Sequence, residues 1–153
     1  MQANELPEPP ALESNEISLI LEKRTEGDEA KGFVPAYSFG VYLKEGRKRI
    51  GHINLRIGDT EHVMQFAGHI GFAINEEHQG NSYAAKACLA LKNFAASFYE
   101  SVIITCNPDN IASKRTLEKI GAEFIEEIQI PEDNHVRITH GETHKRRYRW
   151  KIR

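Results

Sequence analysis

A chain of 153 residues has the length of one domain, with room for a continuous core and too little for two independent ones. Hydrophobic residues at 40% and charged residues at 27% match an ordinary globular protein, and no apolar run approaches the length of a membrane span. A formal net charge of -2 argues against a general nucleic-acid binder, and the acidic, prolyl segment from Met1 to Glu16 lacks the basic-then-apolar order of a signal peptide, so a cytoplasmic setting is expected.

Residues 1–15 carry Pro7, Pro9 and Pro10 among Glu and Asn, the composition of a flexible tail or irregular strap, and residues 16–153 are expected to form the domain. Ile17, Leu19 and Leu21 alternate with Ser18, Ile20 and Glu22, which predicts a half-buried strand ending near Arg24. After a short polar connection from Glu26 to Pro35, Tyr37–Leu43 and Lys48–Ile57 read as two strands joined by the glycine-containing loop Lys44-Glu45-Gly46-Arg47. Asp59–Gln65 reads as a polar excursion, and His69–Asn75 as a fourth strand with Ile70, Phe72 and Ile74 on one face.

From Ser82 the period changes. Ala84, Cys88, Leu91, Ala95 and Phe98 fall on one helical stripe. Val102–Thr105 is a short β-branched run, the signature of a strand buried on both faces after a helical crossover. Asn107-Pro108-Asp109-Asn110 breaks it, and a second helix from about Ile111 to Ile120 is stopped by Gly121, where a left-handed residue is needed. Ala122–Ile130 and Lys145–Ile152 read as closing strands around a long polar loop containing Pro131 and Gly141; in the last, Tyr148, Trp150 and Ile152 face the core and the cations between them face solvent. Cys88 and Cys106 have no metal or disulfide spacing and read as buried reduced thiols. The order of elements is α+β, a mixed, mostly antiparallel sheet with one central β-α-β passage.

The strand-to-helix turn Gln79-Gly80-Asn81-Ser82-Tyr83-Ala84 leads small residues into a helix with nothing acidic in its first turns. Unpaired N–H groups and the positive end of the helix dipole make such a turn a seat for phosphate, with Lys86 one turn on. The turn resembles the Q/R-x-x-G-x-G/A pyrophosphate loop of the GNAT superfamily of acyl-CoA-dependent N-acyltransferases, with Ser82 in place of the usual middle glycine. Downstream, Asn107 to Ala122 resembles the family's N-x-x-N-x-x-S/A…E-K-x-G-F segment, and the detailed likeness is greatest to the RimJ- and RimL-like acetyltransferases.

The resemblance implies an N-acetyltransferase with acetyl-CoA as cosubstrate, no metal, and a primary amine on a small molecule or a protein N-terminus as acceptor. It implies that Phe72, Ala73 and Ile74 meet the pantetheine arm, that Gln79, Gly80, Asn81, Ser82, Tyr83 and Ala84 hold the pyrophosphate, and that Asn107, Asn110, Ser113 and Lys114 add cofactor contacts. Ser113 is the candidate proton donor to the leaving thiolate, because the tyrosine that many relatives place before the E-K pair is here Leu117. His69 is the candidate base on its ordinary pKa. Leu117 also keeps open a catalytically weak acyl-CoA-binding module. The Glu26–Pro35 connection is too short for the pair of helices usual after strand one, so the acceptor side is expected to be closed by the prolyl tail or by a second copy of the chain.

Overall fold

The computed structural model describes residues 2–153. Its sheet has eight strands in the order β1-β2-β3-β4-β5-β6-β8-β7. They are β1 (Leu12–Ser14), β2 (Ile17–Thr25), β3 (Ala36–Leu43), β4 (Arg49–Arg56), β5 (Ile70–Ile74), β6 (Ser101–Cys106), β7 (Glu123–Gln129) and β8 (His144–Lys151). Every neighbouring pair is antiparallel except β5 and β6, which the helix α1 (Tyr83–Ala95) connects as a crossover. The mixed sheet and its single β-α-β passage are those expected from the hydrophobic pattern.

Alternation along β2, β3 and β4 sends Ile17, Leu19, Tyr37, Phe39, Val41, Ile53 and Leu55 to one face, where α1 covers them with Cys88, Leu91 and Ala95. The second helix, α2 (Ile111–Ile120), packs on α1. Its ends follow from its sequence. Asn110 Oδ1 accepts the Ser113 N–H at 3.0 Å, and Gly121, at φ 84°, lets Ala122 N–H return to Leu117 O at 2.9 Å.

The structure departs from the sequence reading in four places. Residues 12–14, expected to be irregular, pair with β2 as β1, and Ala3 and Leu6 are buried while the Tyr37 hydroxyl donates to Pro7 O. The polar excursion contains a π-helix, His62–Ala67, closed by Gly68 N–H to Val63 O at 2.7 Å; two apolar residues, Val63 and Phe66, are enough to bury it. The long loop before β8 contains a short helix, α3 (His135–His140), capped by Asn134. Tyr148 and Trp150 in β8 and Ile152 just beyond it are buried as expected, but Arg147 is not solvated: it is 7% exposed, donates to Met64 O at 3.0 Å and pairs with Glu126.

Candidate active site

The site begins where the sheet opens. β5 and β6 are in register only at Ile70 and Ile104. At that end they are locked: His69 N–H donates to Ile103 O at 2.7 Å, and Ile103 N–H donates to His69 Nδ1 at 2.8 Å. Gly68 makes the close approach possible, since a Cβ there would lie 2.9 Å from Ile103 O and its φ is 76°. Beyond Ile70 the strands separate. Hydrogen bonds from Arg56 N–H to His69 O and from Asn75 N–H to Ile50 O fix the alternation along β5. Gly71 and Ala73 therefore turn their main-chain groups toward β4, and Phe72 and Ile74 turn theirs into the gap.

Two cavities meet at this gap. The first is a channel of about 610 Å³ running from Phe72, Ala73 and Ile74 past Gln79, Gly80, Ser82, Tyr83 and Ala84, with Asn110, Ser113, Arg115, Thr116 and Lys119 on its α2 side. Gln79 Nε2 donates to Ile74 O at 2.9 Å, tying the turn to the open strand edge. Gly80 has φ 86° and open space where a Cβ would stand. Ser82 also occupies the left-handed region, at φ 64°, a conformation costly for any residue but glycine, which explains why a glycine suits this place. Among the described residues no side chain caps α1; Tyr83, Ala84 and Ala85 of its first turn line the channel, and Lys119 Nζ reaches Ser82 Oγ.

The second cavity, about 900 Å³, lies on the opposite face of the sheet. Its floor is the polar face of β2, β3 and β4, including Glu22, Ser38, His52, Asn54 and Arg56. The π-helix, Phe33 and α3 form its wall; Phe33 stands 4.8 Å from the His62 ring and 5.3 Å from the His135 ring. Phe72, Asn110 and Ser113 line both cavities. Arg49 donates to both oxygens of Glu22, at 2.8 and 2.7 Å, and these bonds hold the Glu22 carboxyl below its ordinary range. Burial, then the charge of Arg49, depresses the His52 imidazole, which keeps it neutral at physiological pH. Burial works to raise the Glu142 carboxyl, and hydrogen bonds from Lys145 and Asn107 more than offset it.

The residues singled out in the sequence divide accordingly. Phe72, Ala73, Ile74, Gln79, Gly80, Ser82, Tyr83, Ala84, Asn110 and Ser113 converge on the channel. Ser113 is half-buried, and its hydroxyl has no hydrogen-bond partner among the described residues. Asn107 lines the second cavity but is engaged by Glu142 and Lys145. Asn81 is exposed and bonds back to His78 O, Lys114 lines neither cavity, and Lys86 pairs with Glu16 at 2.6 Å. His69 is 2% exposed, with Nδ1 on Ile103 N–H and Nε2 on Asp59 Oδ1 at 2.8 Å, so it braces the strands and reaches neither cavity. Leu117 is fully buried. Arg115, Thr116, Lys119 and His52 were missed; period-four spacing along α2 from Ile111 and Ala112 was the available signal for the first three, and alternation from Asn54 for His52. Residues 2–15 line neither cavity, and the N-terminal segment stops at the rim, where Ala3 N–H donates to Glu26 at 3.2 Å.

A sheet opened between parallel neighbours, with a helix N-terminus closing one end of the gap and a second cleft across it, defines an acyltransferase fold of the GNAT type. Residues 3–123 match the model of the acetyltransferase (GNAT) domain, and the chain belongs to that family. It is 32% identical over 117 residues to the uncharacterized N-acetyltransferase YnaD of Bacillus subtilis (strain 168), a match covering 71% of this chain and 66% of YnaD, just under two thirds of that protein. Among solved structures, the ribosomal L7/L12 alpha-N-protein acetyltransferase RimL shares the fold at a TM-score of 0.61 and 14% identity, over 91% of this chain and 95% of that one. The microcin C7 self immunity acetyltransferase MccE, solved in complex with acetyl-CoA and AMP, shares it at a TM-score of 0.58 and 19% identity, over 76% and 61%.

Proposed function

We propose that the protein transfers the acetyl group of acetyl-CoA to a primary amine by direct attack in a ternary complex. The observation that carries this reading is the meeting of two cavities at Phe72, Asn110 and Ser113, beside main-chain groups of β5 that β6 leaves unpaired. The channel suits an extended pantetheine arm, which would bond to Phe72 and Ile74 as a further strand does, with its pyrophosphate on the turn from Gln79 to Ala84 and near Arg115 and Lys119. The acetyl-CoA complex of MccE, on the same fold, supports that cosubstrate. The polar cleft takes the acceptor.

The amine nitrogen attacks the thioester carbonyl carbon, with the Phe72 N–H stabilising the developing oxyanion. The C–N bond forms, the C–S bond breaks, the nitrogen gives up one proton and the sulfur takes one. His52, neutral and on the cleft floor opposite Ala73, receives the amine proton directly or through water. Ser113 supplies or relays the thiol proton. Direct attack is favoured over an acetyl-cysteine intermediate because Cys106, the thiol beside the cleft, is 5% exposed and burial raises its pKa. The two free cysteines accord with a cytoplasmic setting. Residues 2–15 line neither cavity, so a second copy of the chain is the cover to test by light scattering: a dimer supports it, and an active monomer leaves an open site whose acceptor must itself exclude water.

Steady release of CoA from acetyl-CoA only when an amine is present is the expected result, and its absence across an amine panel would leave a binding module. Ser113→Ala should lower kcat with CoA affinity nearly unchanged, since the hydroxyl matters as charge develops on sulfur. Equal loss of affinity would make Ser113 a binding residue instead.

A further inference from the structure

Among the charges that line the acceptor cleft, two carboxylates are paired, while the exposed Lys23 and Glu26 and the half-buried Arg56 have no ion-pair partner among the described residues. Glu22 is held by Arg49, and Glu142 by Lys145 at 2.7 Å. Arg56, half-buried on the floor, has no carboxylate within 4.0 Å among the described residues. Its NH1 group donates to Ala67 O and Gly68 O, each at 3.2 Å, at the end of the π-helix. Its Nε and NH2 groups have no hydrogen-bond partner among the described residues.

The NH1–NH2 edge of the guanidinium abuts Gly71. A Cβ at that position would stand 3.2 Å from NH1 and 3.4 Å from NH2, so any side chain there would push the group away from β5. Arg56 lines the cleft with no carboxylate partner among the described residues, so an anion that displaces water from its free edge gains a charge-assisted pair there. Burial lowers the Arg56 pKa, and after burial it is the charge of Arg56 that depresses the His62 imidazole across the cleft, as an unneutralised cation would.

We propose that Arg56 is the carboxylate anchor of the acceptor, which is therefore a small amino carboxylic acid and not a protein N-terminus, whose α-amine is followed by an amide. The planar guanidinium offers the free Nε–NH2 edge in the paired geometry that a carboxylate accepts. Distance sets the size of the acceptor. Gly71 immediately precedes Phe72, where the thioester carbonyl is to sit, and a strand advances roughly 3.3 Å per residue. Amine and carboxylate must then be only a few bonds apart, as in an α- or β-amino acid. The acceptor's own side chain faces the wall formed by Phe33, His62 and His135.

This assignment rests on the acetyl-transfer reading, and the experiment separates the two. The full chain, labelled with nitrogen-15 and saturated with CoA, is titrated with N-acetylphenylalanine, its amide, and N-acetylphosphoethanolamine as a phosphate source, while the Arg56 Nε–H resonance is followed by NMR. The carboxylate should shift that resonance and bind at least tenfold more tightly than the amide. Followed by the backbone amide resonances of Gly71 and Phe72, which the variants retain, Arg56→Met should abolish the preference, and Arg56→Lys, which keeps an aliphatic stem and the charge and guards against loss of fold, should keep part of it. Equal affinity for acid and amide, a preference unchanged in Arg56→Met, tighter binding of the phosphate, or no binding of N-acetylated α- or β-amino acids at millimolar concentration overturns the proposal. CoA release measured in parallel distinguishes the failures. If amides and peptides are acetylated and acids are not, the transferase stands and the anchor falls; if acids bind at Arg56 and no amine releases CoA, the anchor stands and the transferase falls.

Discussion

Replacing Gly80 by valine tests the phosphate seat. Gly80 sits at φ 86° with no atom within 4 Å of an added Cβ, so the folded protein pays only the left-handed backbone penalty, about 1–2 kcal/mol. For a chain of this size that lowers Tm by roughly 2–8 °C. If the loop escapes by leaving the left-handed region, its N–H groups turn from the channel, and the loss of one charge-assisted bond, about 1.5–3 kcal/mol, weakens CoA binding roughly ten- to hundredfold. A matched control exists in the β3–β4 hairpin: Gly46 has φ 77° and equally open space, and it lines neither cavity. Gly46→Val should therefore lose comparable stability and no affinity. Calorimetric titration with CoA, alongside thermal melts of both variants, reads the two effects separately. A folded Gly80→Val protein that binds CoA as the parent does, or equal affinity losses in both variants, would refute the placement.

His52→Gln should lower kcat and remove the acidic limb of the pH–rate profile; because burial and Arg49 lower the His52 pKa, that limb lies below the ordinary histidine value of 6.5. Burial, opposed by the hydrogen bond and charge of Asp59, lowers the His69 pKa, so the unfolded chain takes the proton first: stability from His69 is intact above pH 6.5 and is lost as pH falls from there through the folded value, a slope of Tm on pH that His69→Gln should flatten. Leu117→Tyr should not restore the tyrosine acid of other family members, because the side chain is fully buried; the extra volume should cost about 1–3 kcal/mol and leave kcat no higher.

The regular elements were legible because their hydrophobic periods are long. The alternation of Ile17, Leu19 and Leu21 in β2, ahead of the irregularity before Lys23, and the thirteen residues of α1 state their geometry directly. β1, the π-helix and α3 are three to six residues each, and their formation depends on partners distant in sequence: Leu12 on Leu19, Phe66 on Thr105, Arg137 on Ile130. The site split along the same line. The turn from Gln79 to Ala84 is local chemistry and could be read directly, whereas the floor of the acceptor cleft is assembled from single residues on β2, β3 and β4 whose neighbours are set by sheet register. His69 illustrates the limit: its residue type suits a base, and only its lodging between β5 and β6, with Asp59 on the outer nitrogen, reveals a brace.

That brace sits at the corner of two plates. Strands β1–β5 form one and β6, β8 and β7 the other; between β5 and β6 themselves, among the described residues, the Ile70–Ile104 register and the His69 bonds join them, with Thr105 and Arg147 bonding to the π-helix that precedes β5. An arm of pantetheine laid against Phe72 and Ile74 would then act as a keystone, turning a hinged pair into one continuous sheet. Loading the protein at a hundredfold excess over Kd contributes about 2.7 kcal/mol to its stability, and much of that gain should appear as slowed amide exchange in β6 and β8, strands remote from the acyl group itself. Departure of CoA after each turnover would release the hinge, so the stiffness of the smaller plate reports whether the cosubstrate is in place.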